Sequence, residues 1–292
     1  MITIIIPTYN RAAIIPATLD SIIAQDYKDW ECIVVDDFST DNTYDIIKQY
    51  VEKDKRFRYL KNERKKGAQG ARNTGLFHCK TEWIIFFDSD NLMHSTFLQK
   101  VANEISDNID VIQVFTNVVD VDTREVKNIF CWKNYGNIYD RLFNLQTYVD
   151  NQVLIRKQKL TEIGYLDEGC PSMQEWDTHI RLSKTAIYTT IEEPLLDYFV
   201  GGKDAISTDT KREVNGRLFI LHKYIDEWRK HGIGYKHFVK QIEACIARND
   251  DIQFKNSAKK ELKHIAWNVN VYFFIDCLKV KVKQISDRLF KK

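Results

Sequence analysis

The sequence predicts an α/β protein in which a mostly parallel sheet is followed by an α-helical C-terminal region. Two observations indicate this class. In the first 115 residues, short apolar runs alternate with stretches in which apolar residues recur every three or four positions. Beyond residue 207 the helical spacing continues towards the end of the chain. Because strands that alternate with helices build parallel βαβ units, we expect a sheet that is buried on both faces.

The predicted elements follow one another in a regular order. The expected strands cover residues 2–6, 31–35, 56–61, 82–87 and 111–115, and the expected helices cover residues 12–24, 39–51, 70–79 and 95–105. The first strand is β-branched and stops at Pro7, which has no N–H to donate to a sheet. The second helix opens at residues 39–42, which are all of types that favour the N-cap. Residues 116–205 show a less regular pattern of short strands and helices.

Charge is distributed unevenly along the chain. Residues 211–292 carry 19 Lys and Arg against 9 Asp and Glu, a net charge of +10, whereas residues 1–210 have a net charge of −8. The acidic part argues against nucleic-acid binding and suits a divalent metal. The basic part suits an anionic membrane surface or partner, and it equally suits helices with solvated faces. Residues 255–292, at +7 with aromatic residues nearby, keep both interpretations open: a helix on a lipid surface, or one packed on the rest of the protein.

Several classes of protein are disfavoured. The N-terminus lacks the pattern of a signal peptide, and no run approaches the roughly 18 apolar residues of a membrane span. The six cysteines form no CxxC pair, which disfavours zinc ribbons and redox motifs and fits a reducing compartment. The segment PTYNRA after the first strand contains no glycine, unlike the phosphate loops of dehydrogenases and sugar nucleotidyltransferases. We therefore expect a cytoplasmic protein of another class.

Polar and aromatic residues follow the ends of the predicted strands. Tyr9, Asp37, Asp88 and Asp90 all lie just beyond such ends, where ligands bind in open parallel sheets. The two carboxylates of Asp88-Ser-Asp90 can direct hard oxygens to one divalent cation, although such a pair also caps helices. Asp36-Asp37 closes a neighbouring strand in the same way. This convergence predicts a metal and ligand site at one edge of the sheet.

Seven segments stand out along the chain: PTYNR (7–11), VVDDFSTDNT (34–43), GAQGARNTG (67–75), FFDSDN (86–91), NQVLIR (151–156), IGYLDE (163–168) and QEWDTHIRL (174–182). In this order they resemble the motifs of glycosyltransferase family 2. The resemblance implies the GT-A fold, a Rossmann-like three-layer α/β/α arrangement, for a catalytic domain over residues 1–210. Residues 1–115 would be its nucleotide-binding half and residues 116–210 its acceptor-binding half. The basic helical region 211–292 is not covered.

The resemblance also implies roles for individual residues. Tyr9 corresponds to the aromatic residue that stacks on the nucleotide base. Asp37 corresponds to the carboxylate that accepts the uracil N–H, with Asp36 as the alternative. Asp90 corresponds to the direct metal ligand, and Asp88 to the acid on the ribose and metal side. The full set expected to bind the nucleotide is Pro7, Thr8, Tyr9, Asn10, Arg11, Asp36, Asp37, Gly70, Arg72, Asn73, Asp88 and Ser89.

The general base of the family corresponds to Glu175. The family usually has Asp at this position, and the longer Glu side chain shifts the carboxylate by about one methylene. A carboxylate can take the proton of an acceptor hydroxyl in either case. Asp177 is the second candidate, with a helix cap or an ion pair with Arg181 as its structural alternative. Trp132 and Trp176 are candidates to stack on acceptor sugars, although buried tryptophans are common.

The implied function is that of a metal-dependent, inverting hexosyltransferase. Mn²⁺ or Mg²⁺ would bind a nucleotide-diphosphate sugar, with UDP favoured, and the sugar would pass to a hydroxyl of a saccharide or lipid-linked saccharide. Family members of this kind build bacterial surface polysaccharides at the inner face of the plasma membrane. The alternative is a non-catalytic nucleotide-sugar-binding or scaffold protein with the same fold. The donor sugar, the acceptor, the linkage and the oligomeric state stay open.

Overall fold

The structure is a computed structural model that describes residues 1–201 and 209–265. The strands in these residues are β1 Ile2–Thr8, β2 Trp30–Asp36, β3 Phe57–Lys61, β4 Trp83–Phe86, β5 Leu92–Met93, β6 Val111–Asp120, β7 Val126–Phe130, β8 Leu154–Arg156 and β9 Tyr188–Val200. The helices are α1 Ile15–Ile23, α2 Thr43–Lys53, α3 Ala68–His78, α4 Phe97–Asn103, α5 Tyr139–Phe143, α6 Lys157–Glu162, α7 Gln174–Leu182, α8 Thr210–Lys223, α9 Ile225–Lys230, α10 Gly232–Arg248 and α11 over residues 252–265.

The strands form one mixed sheet in which the parallel direction dominates. Its order is β3-β2-β1-β4-β8-β6-β9-β5, and β7 pairs with β6. β3, β2, β1 and β4 are parallel to one another, as are β6 and β9. β8 is antiparallel to both β4 and β6, and β5 and β7 are antiparallel to their partners. The prediction of an α/β fold with a mostly parallel sheet is confirmed.

The reversed strand β8 brings a distant part of the chain to the ligand edge of the sheet. Ile85 of β4 pairs with Leu154 of β8 in the antiparallel register. Residues that precede Leu154 therefore continue towards the carboxyl end of β4, where Asp88 follows. The sequence predicted a mostly parallel sheet but did not identify β8 as a strand, and so it did not place this segment at that edge.

The core lies on both faces of the sheet. Alternate residues of β1, Ile4 and Ile6, are fully buried in a cluster with α1. Ile5 points to the opposite face, towards α3. A Cβ atom added to Gly75 of α3 would lie 2.4 Å from Ile5 Cγ2, so the glycine permits close packing of the helix on the strand. Helices thus cover both faces, as the predicted three-layer arrangement requires.

The nine elements predicted for the first 115 residues are confirmed, with small differences at their ends. β1 continues through Pro7 to Thr8, beyond the predicted stop at the proline. The pairing of β1 with β4 ends at Ile5, so Pro7 has a strand neighbour on the β2 side only, and its missing N–H is tolerated there. The irregular region 116–205 contains the second half of β6 and its long parallel partner β9.

The chain divides into two compact units. The first contains residues 1–139, 147–169 and 174–201, and the second contains residues 140–146, 170–173 and 209–265 among those that the structure describes. Within the second unit, Phe143 packs edge-to-face on Trp228 with ring centroids 4.9 Å apart. Helices α8 to α11 confirm a helical C-terminal region up to residue 265. The helical spacing predicted for residues 266–292 lies outside the described residues. The assignment of 1–115 and 116–210 to donor and acceptor stays a prediction.

None of the helices formed by residues 1–201 and 209–265 combines the length and the apolar character that a membrane span requires.

Candidate active site

The loops that follow β1 and β2 are joined by hydrogen bonds. Asn10 adopts a left-handed conformation with φ +52°. Its N–H donates to Ser39 Oγ at 2.9 Å, and its Oδ1 accepts from the N–H of Thr40 at 2.8 Å. The N–H of Arg11 donates to Thr43 Oγ1 at 2.8 Å. The predicted nucleotide-binding segment of residues 7–11 is therefore fixed against the second strand exit.

The ring of Tyr9 lies at the surface of this edge. Its side chain is 45% exposed, and the Lys66 ammonium lies 4.8 Å from the ring centroid. Thr8 is buried beside it, and within the described residues its Oγ1 has no hydrogen-bond partner. An exposed aromatic face with a cation above it suits stacking of a flat, anionic ligand.

Both adjacent aspartates at the end of β2 are buried and hydrogen-bonded. Asp36 Oδ2 accepts from the Tyr59 hydroxyl at 3.1 Å. Asp37 Oδ1 accepts from Asn62 Nδ2 at 2.6 Å, and its Oδ2 accepts from the N–H of Gly67 at 2.8 Å. Asp37 thus joins β2 to the start of α3, whereas Asp36 faces β3. Both stay candidates for the base-contacting carboxylate.

Asn62 is a residue of this edge that the sequence analysis missed. Asn62 is buried and follows β3 directly. Asp37 follows β2 in the same way, and Asp88 lies shortly after the end of β4. Besides its bond to Asp37, its Oδ1 accepts from Thr74 Oγ1 at 2.9 Å. The rule that identified the other residues, a polar side chain just beyond a parallel strand, would have identified Asn62 as well.

Arg72 of α3 is a buried cation at the centre of the edge. Its Nη2 donates to Asp88 Oδ1 at 2.7 Å. Its Nη1 donates to Gln69 Oε1 at 3.0 Å and to Gln174 Oε1 at 3.3 Å. Its Nε is buried and has no partner among the described residues. The guanidinium therefore connects α3, the end of β4 and the start of α7, and it retains one donor.

The other two predicted residues of α3 have structural uses. A Cβ on Gly70 would lie 1.9 Å from the carbonyl oxygen of Lys65, so only glycine fits there. Asn73 Nδ2 donates to the carbonyl of Leu166 at 3.0 Å and to Glu168 Oε1 at 2.7 Å, and the asparagine is 1% exposed. These bonds join α3 to the loop of residues 166–168. A contact of either residue with a nucleotide stays a prediction.

The acidic loop after β4 presents two partly exposed carboxylates. The side chains of Asp88 and Asp90 are 32% and 42% exposed, and Ser89 between them is buried. Arg11 Nη2 lies 3.4 Å from Asp90 Oδ2. Burial and the neighbouring Asp88 raise the pKa of Asp90, and Arg11 opposes this shift.

This pair of carboxylates fits a divalent cation that is shared with a substrate. Residues 1–201 and 209–265 contain no group of three or more His, Cys, Asp or Glu side chains arranged to hold a metal alone. Mg²⁺ and Mn²⁺ take oxygen ligands and commonly bind through one or two carboxylates together with phosphate oxygens and water. The partly exposed oxygens of Asp88 and Asp90 match this coordination.

Glu175, at the start of α7, is affected by the charged groups at the same edge of the sheet. Burial raises the pKa of Glu175 to about 7, with further increases from Asp150 and Asp88, whereas Arg72 lowers it. Burial and then Asp88 raise the pKa of Asp150 to about 6. Raised carboxyl pKa values of this kind are typical of catalytic acids and bases. Asp150 was not predicted from the sequence, because it lies in the irregular region just outside the segment NQVLIR (151–156).

Asp177 and the two tryptophans differ in their access to solvent. Asp177 exposes no surface and forms an ion pair with Arg181, whose Nη2 lies 2.8 Å from Asp177 Oδ2. This ion pair is the structural alternative to a base role that was considered for Asp177. Of the two predicted bases, only Glu175 is partly exposed. Trp176 is 8% exposed, which suits packing, whereas Trp132 is 41% exposed.

Known proteins similar to this chain are glycosyltransferases. The model described as glycosyl transferase family 2 matches residues 3–164, more than half of the chain. The chain is 26% identical over 272 residues to an uncharacterized glycosyltransferase of Haemophilus influenzae, covering 86% of this chain and 81% of that protein. It is 44% identical over 105 residues to a UDP-Glc:alpha-D-GlcNAc-diphosphoundecaprenol beta-1,3-glucosyltransferase of Escherichia coli. That match covers 36% of this chain and only 40% of the E. coli enzyme.

Solved structures of glycosyltransferases share the fold. TarS of S. aureus, in complex with UDP-GlcNAc, has a TM-score of 0.62 at 17% identity, covering 94% of this chain and 92% of that one. A mannosyltransferase of Pyrobaculum calidifontis, in complex with GDP-Man and Mn²⁺, has a TM-score of 0.62 at 16% identity, covering 94% of this chain and 79% of that one. At these identities the likeness establishes the GT-A fold alone. With its sheet, its strand-exit motifs and the family match over residues 3–164, the chain belongs to glycosyl transferase family 2 and is a glycosyltransferase.

Proposed function

We propose that this glycosyltransferase uses a divalent metal to move a sugar, with inversion, from a nucleotide-diphosphate donor to a saccharide or lipid-linked saccharide hydroxyl. The observation that carries the proposal is the meeting of Asp88, Asp90 and Glu175 at one edge of the sheet. Arg72 contacts Asp88 and the residue before Glu175. One buried cation thereby joins the metal-side acid Asp88 to the residue that precedes the candidate base.

The first two strand exits supply the parts of a nucleotide site. Tyr9 offers an exposed ring face on which a base can stack. Asp37, or Asp36 beside it, would accept the N–H of a uracil ring, which favours a UDP donor. The Arg72 guanidinium, whose Nη2 donates to Asp88, would supply positive charge near the diphosphate of the nucleotide.

Asp90 and Asp88 would hold Mn²⁺ or Mg²⁺. The bound cation stabilises the negative charge that develops on the leaving nucleoside diphosphate. Glu175 would take the proton of the acceptor hydroxyl as its oxygen attacks the anomeric carbon. Its pKa of about 7 is matched to this task at neutral pH. Attack on the face opposite to the leaving group inverts the anomeric centre.

The names of similar proteins support the substrate classes. The E. coli relative is named for UDP-Glc and a diphosphoundecaprenol-linked acceptor. A second relative, from Campylobacter jejuni, is named a GalNAc(5)-diNAcBac-PP-undecaprenol beta-1,3-glucosyltransferase and is 37% identical over 108 residues. Since the P. calidifontis structure contains GDP-Man, the fold alone does not select the base. The preference for uridine rests on Asp36 and Asp37.

Calorimetric titration of UDP into the protein tests the donor site. We expect binding with Mn²⁺, loss of most binding heat with EDTA, and loss of the metal-dependent part in Asp90→Ala. Asp122→Ala, in an exposed turn between β6 and β7, serves as the matched control. Metal-dependent binding of GDP or dTDP in place of UDP would contradict the uridine preference. Absence of nucleotide binding altogether would favour the alternative, a non-catalytic scaffold.

The basic C-terminal region supports a further part of the proposal, attachment to an anionic membrane surface near a lipid-linked acceptor. The net charge of +7 over residues 255–292 carries this part. We expect sedimentation with vesicles that contain phosphatidylglycerol and release by salt. Replacement of Lys279, Lys281 and Lys283 by Gln should weaken the binding. Equal sedimentation of native and substituted proteins at all salt concentrations would contradict the contribution of these lysines.

A further inference from the structure

Asp150 lies at the metal edge although it comes from a distant part of the chain. The antiparallel pairing of Ile85 with Leu154 directs the residues before β8 towards the end of β4 and so towards Asp88. The effect of Asp88 on the pKa of Asp150 agrees with this placement. No Lys or Arg in the described parts of the chain forms an ion pair with Asp150. A partly buried carboxylate without a counter-cation needs another partner.

A buried histidine fixes the backbone of Asp150 beside the helix of the candidate base. His179 Nε2 lies 3.1 Å from the Asp150 carbonyl oxygen, and its Nδ1 lies 3.0 Å from the Tyr188 hydroxyl. Burial lowers the pKa of His179 to about 4, so the ring is neutral at pH 7; Nε2–H then donates to the carbonyl, and Tyr188 donates to Nδ1. Glu175 and His179 are four residues apart in α7 and therefore lie on one face. Asp150 is thus held near Glu175.

A second contact joins Asp150 to the acidic loop. Its Oδ1 accepts from the N–H of Gln152 at 3.3 Å, and Gln152 Oε1 accepts from Asn91 Nδ2 at 3.0 Å. Asn91 is buried and follows Asp90 directly. The segment 150–152 is therefore fixed both to α7, which carries Glu175, and to the acidic loop after β4. A side chain held in this way is pre-organised, as a binding group should be.

Two tyrosines complete the surroundings of Asp150. Burial raises the pKa of the Tyr148 hydroxyl well above its usual value, with Glu175 and Asp150 as the next contributors. Burial, followed by Asp150, also raises the pKa of Tyr198. Both phenol groups are therefore near the same two carboxylates. Half-buried tyrosines beside carboxylate acceptors suit a sugar ring, which presents apolar faces and hydroxyl donors.

We propose that Asp150 recognises the acceptor sugar by accepting a hydrogen bond from a hydroxyl next to the one that Glu175 deprotonates. This inference rests on the proposed function and deepens it: the acceptor class would be a sugar with two adjacent hydroxyls. Asp150 undergoes no covalent change, and the transferred proton goes to Glu175. Hydrogen bonds to a carboxylate are charge-assisted, so their loss weakens recognition by about tenfold or more.

Asp150→Asn tests the proposal with little structural change, because the amide oxygen can still accept from the N–H of Gln152. Glu192→Gln, an exposed site on β9, removes the same charge elsewhere. The probes are UDP-glucose with Mn²⁺ as donor and GlcNAc-α-diphosphate on a short alkyl chain as acceptor. We expect the acceptor KM of Asp150→Asn to rise about tenfold or more, as the loss of a charge-assisted bond requires. Calorimetric UDP binding, UDP-glucose hydrolysis without acceptor, and Tm should match the control.

Monodeoxy analogues of the acceptor identify the bonded group. If Asp150 binds one non-reacting hydroxyl, the native protein should lose about tenfold in kcat/KM with the analogue that lacks it. Asp150→Asn should lose little more with that analogue, since the interaction is already absent. This non-additivity is a direct sign of contact, which a purely structural role would not produce.

Several outcomes would overturn the inference. An unchanged acceptor KM would show that Asp150 has no role in recognition, and a fall in kcat alone would indicate that it acts as a base. A parallel loss of transfer, hydrolysis and UDP binding would indicate a purely structural role. Equal losses for all deoxy analogues in both proteins would also contradict it. Failure of the native protein to bind UDP or hydrolyse UDP-glucose would instead overturn the proposed donor. Hydrolysis without transfer would overturn the acceptor class and, with it, this inference.

Discussion

Arg72 Nη2 lies 2.7 Å from Asp88 Oδ1, and the same guanidinium reaches Gln174, the residue before Glu175. One side chain of α3 therefore connects the acidic loop after β4 with the first turn of α7. The planar fork of arginine makes this possible, because its donors point in several fixed directions. Arg72 thus helps to fix the position of Asp88 relative to the candidate base Glu175.

Arg72→Lys should weaken UDP binding. Lysine keeps the charge but cannot contact Asp88 and Gln174 together, so we expect the Kd for UDP with Mn²⁺ to rise about tenfold, or about 1.4 kcal/mol. Calorimetry measures this change. Arg58→Lys, on β3 and away from the edge, is the matched control, since Arg58 contacts Glu31 and the carbonyl of His78. Equal affinities of the two variants would contradict the connecting role.

The transfer rate should depend on the protonation of Glu175. A general base works in its deprotonated form, and burial raises the pKa of Glu175 to about 7. The transfer rate should therefore be highest above this pH. Below it, the rate should decrease by up to about tenfold for each pH unit. Glu175→Gln should lower transfer by about 10²- to 10⁴-fold at every pH while UDP binding persists. A flat profile for the native protein between pH 5.5 and 8 would argue against Glu175 as the base.

His179 should make the folded state sensitive to acid. The unfolded chain binds a proton on this ring below about pH 6.5, whereas the pKa of the buried ring is about 4. Lowering the pH from 7.5 to 5 therefore favours unfolding, by about 2 kcal/mol from this residue. Asp150 and Glu175, with raised pKa values, act in the opposite direction.

His179→Gln removes this titration while an amide can still bond to Asp150 and Tyr188. The loss of unfolding free energy between pH 7.5 and 5 should be about 2 kcal/mol smaller in this variant than in the native protein. Urea unfolding measures both, and the effects of the two carboxyls cancel in the comparison. His222→Gln, at an exposed position, should behave as the native protein does. The same pH dependence in all three proteins would exclude a neutral buried His179.

Gly70→Ala should destabilise the first unit. The added methyl group would lie 1.9 Å from the Lys65 carbonyl oxygen, and backbone atoms there must move. We expect a loss of about 1–3 kcal/mol in unfolding free energy. UDP binding should also weaken, because Gly67 of the displaced loop donates its N–H to Asp37. Gly169→Ala is the control, since its nearest atom is the mobile end of the Asp167 side chain at 3.0 Å. Equal stability of the two variants would contradict the tight approach.

Much of the fold could be predicted because local rules determine it. Each strand and helix of the first 115 residues carries its own apolar period, and the residues after the strands are polar for a reason that parallel sheets share. Tyr9, Asp37 and Asp88 were found in this way. Asn62 obeys the same rule, and was missed only because a single asparagine after a strand resembles an ordinary turn residue.

The acceptor side could not be predicted in the same way because non-local pairing determines it. Asp150 reaches the edge through the antiparallel strand β8, which has only three residues and no period of its own. Tyr198 arrives through β9, whose pairing with β6 spans about 80 positions of sequence. For Asp177, the sequence left a base and an ion pair as alternatives, and its full burial was visible only once α7 had packed.

The reversed strand β8 has a consequence for how this protein can change. Tyr9, Asp37 and Asp88 reach the edge from the neighbouring parallel strands β1, β2 and β4, whereas Asp150 enters from the loop before β8. A loop of altered length or composition before Leu154 could therefore present a new side chain to the incoming sugar while the four parallel strands keep their register. Selection for a different product can act on that one loop, and exchanging it between relatives offers an engineer a route to new linkages with an unchanged donor.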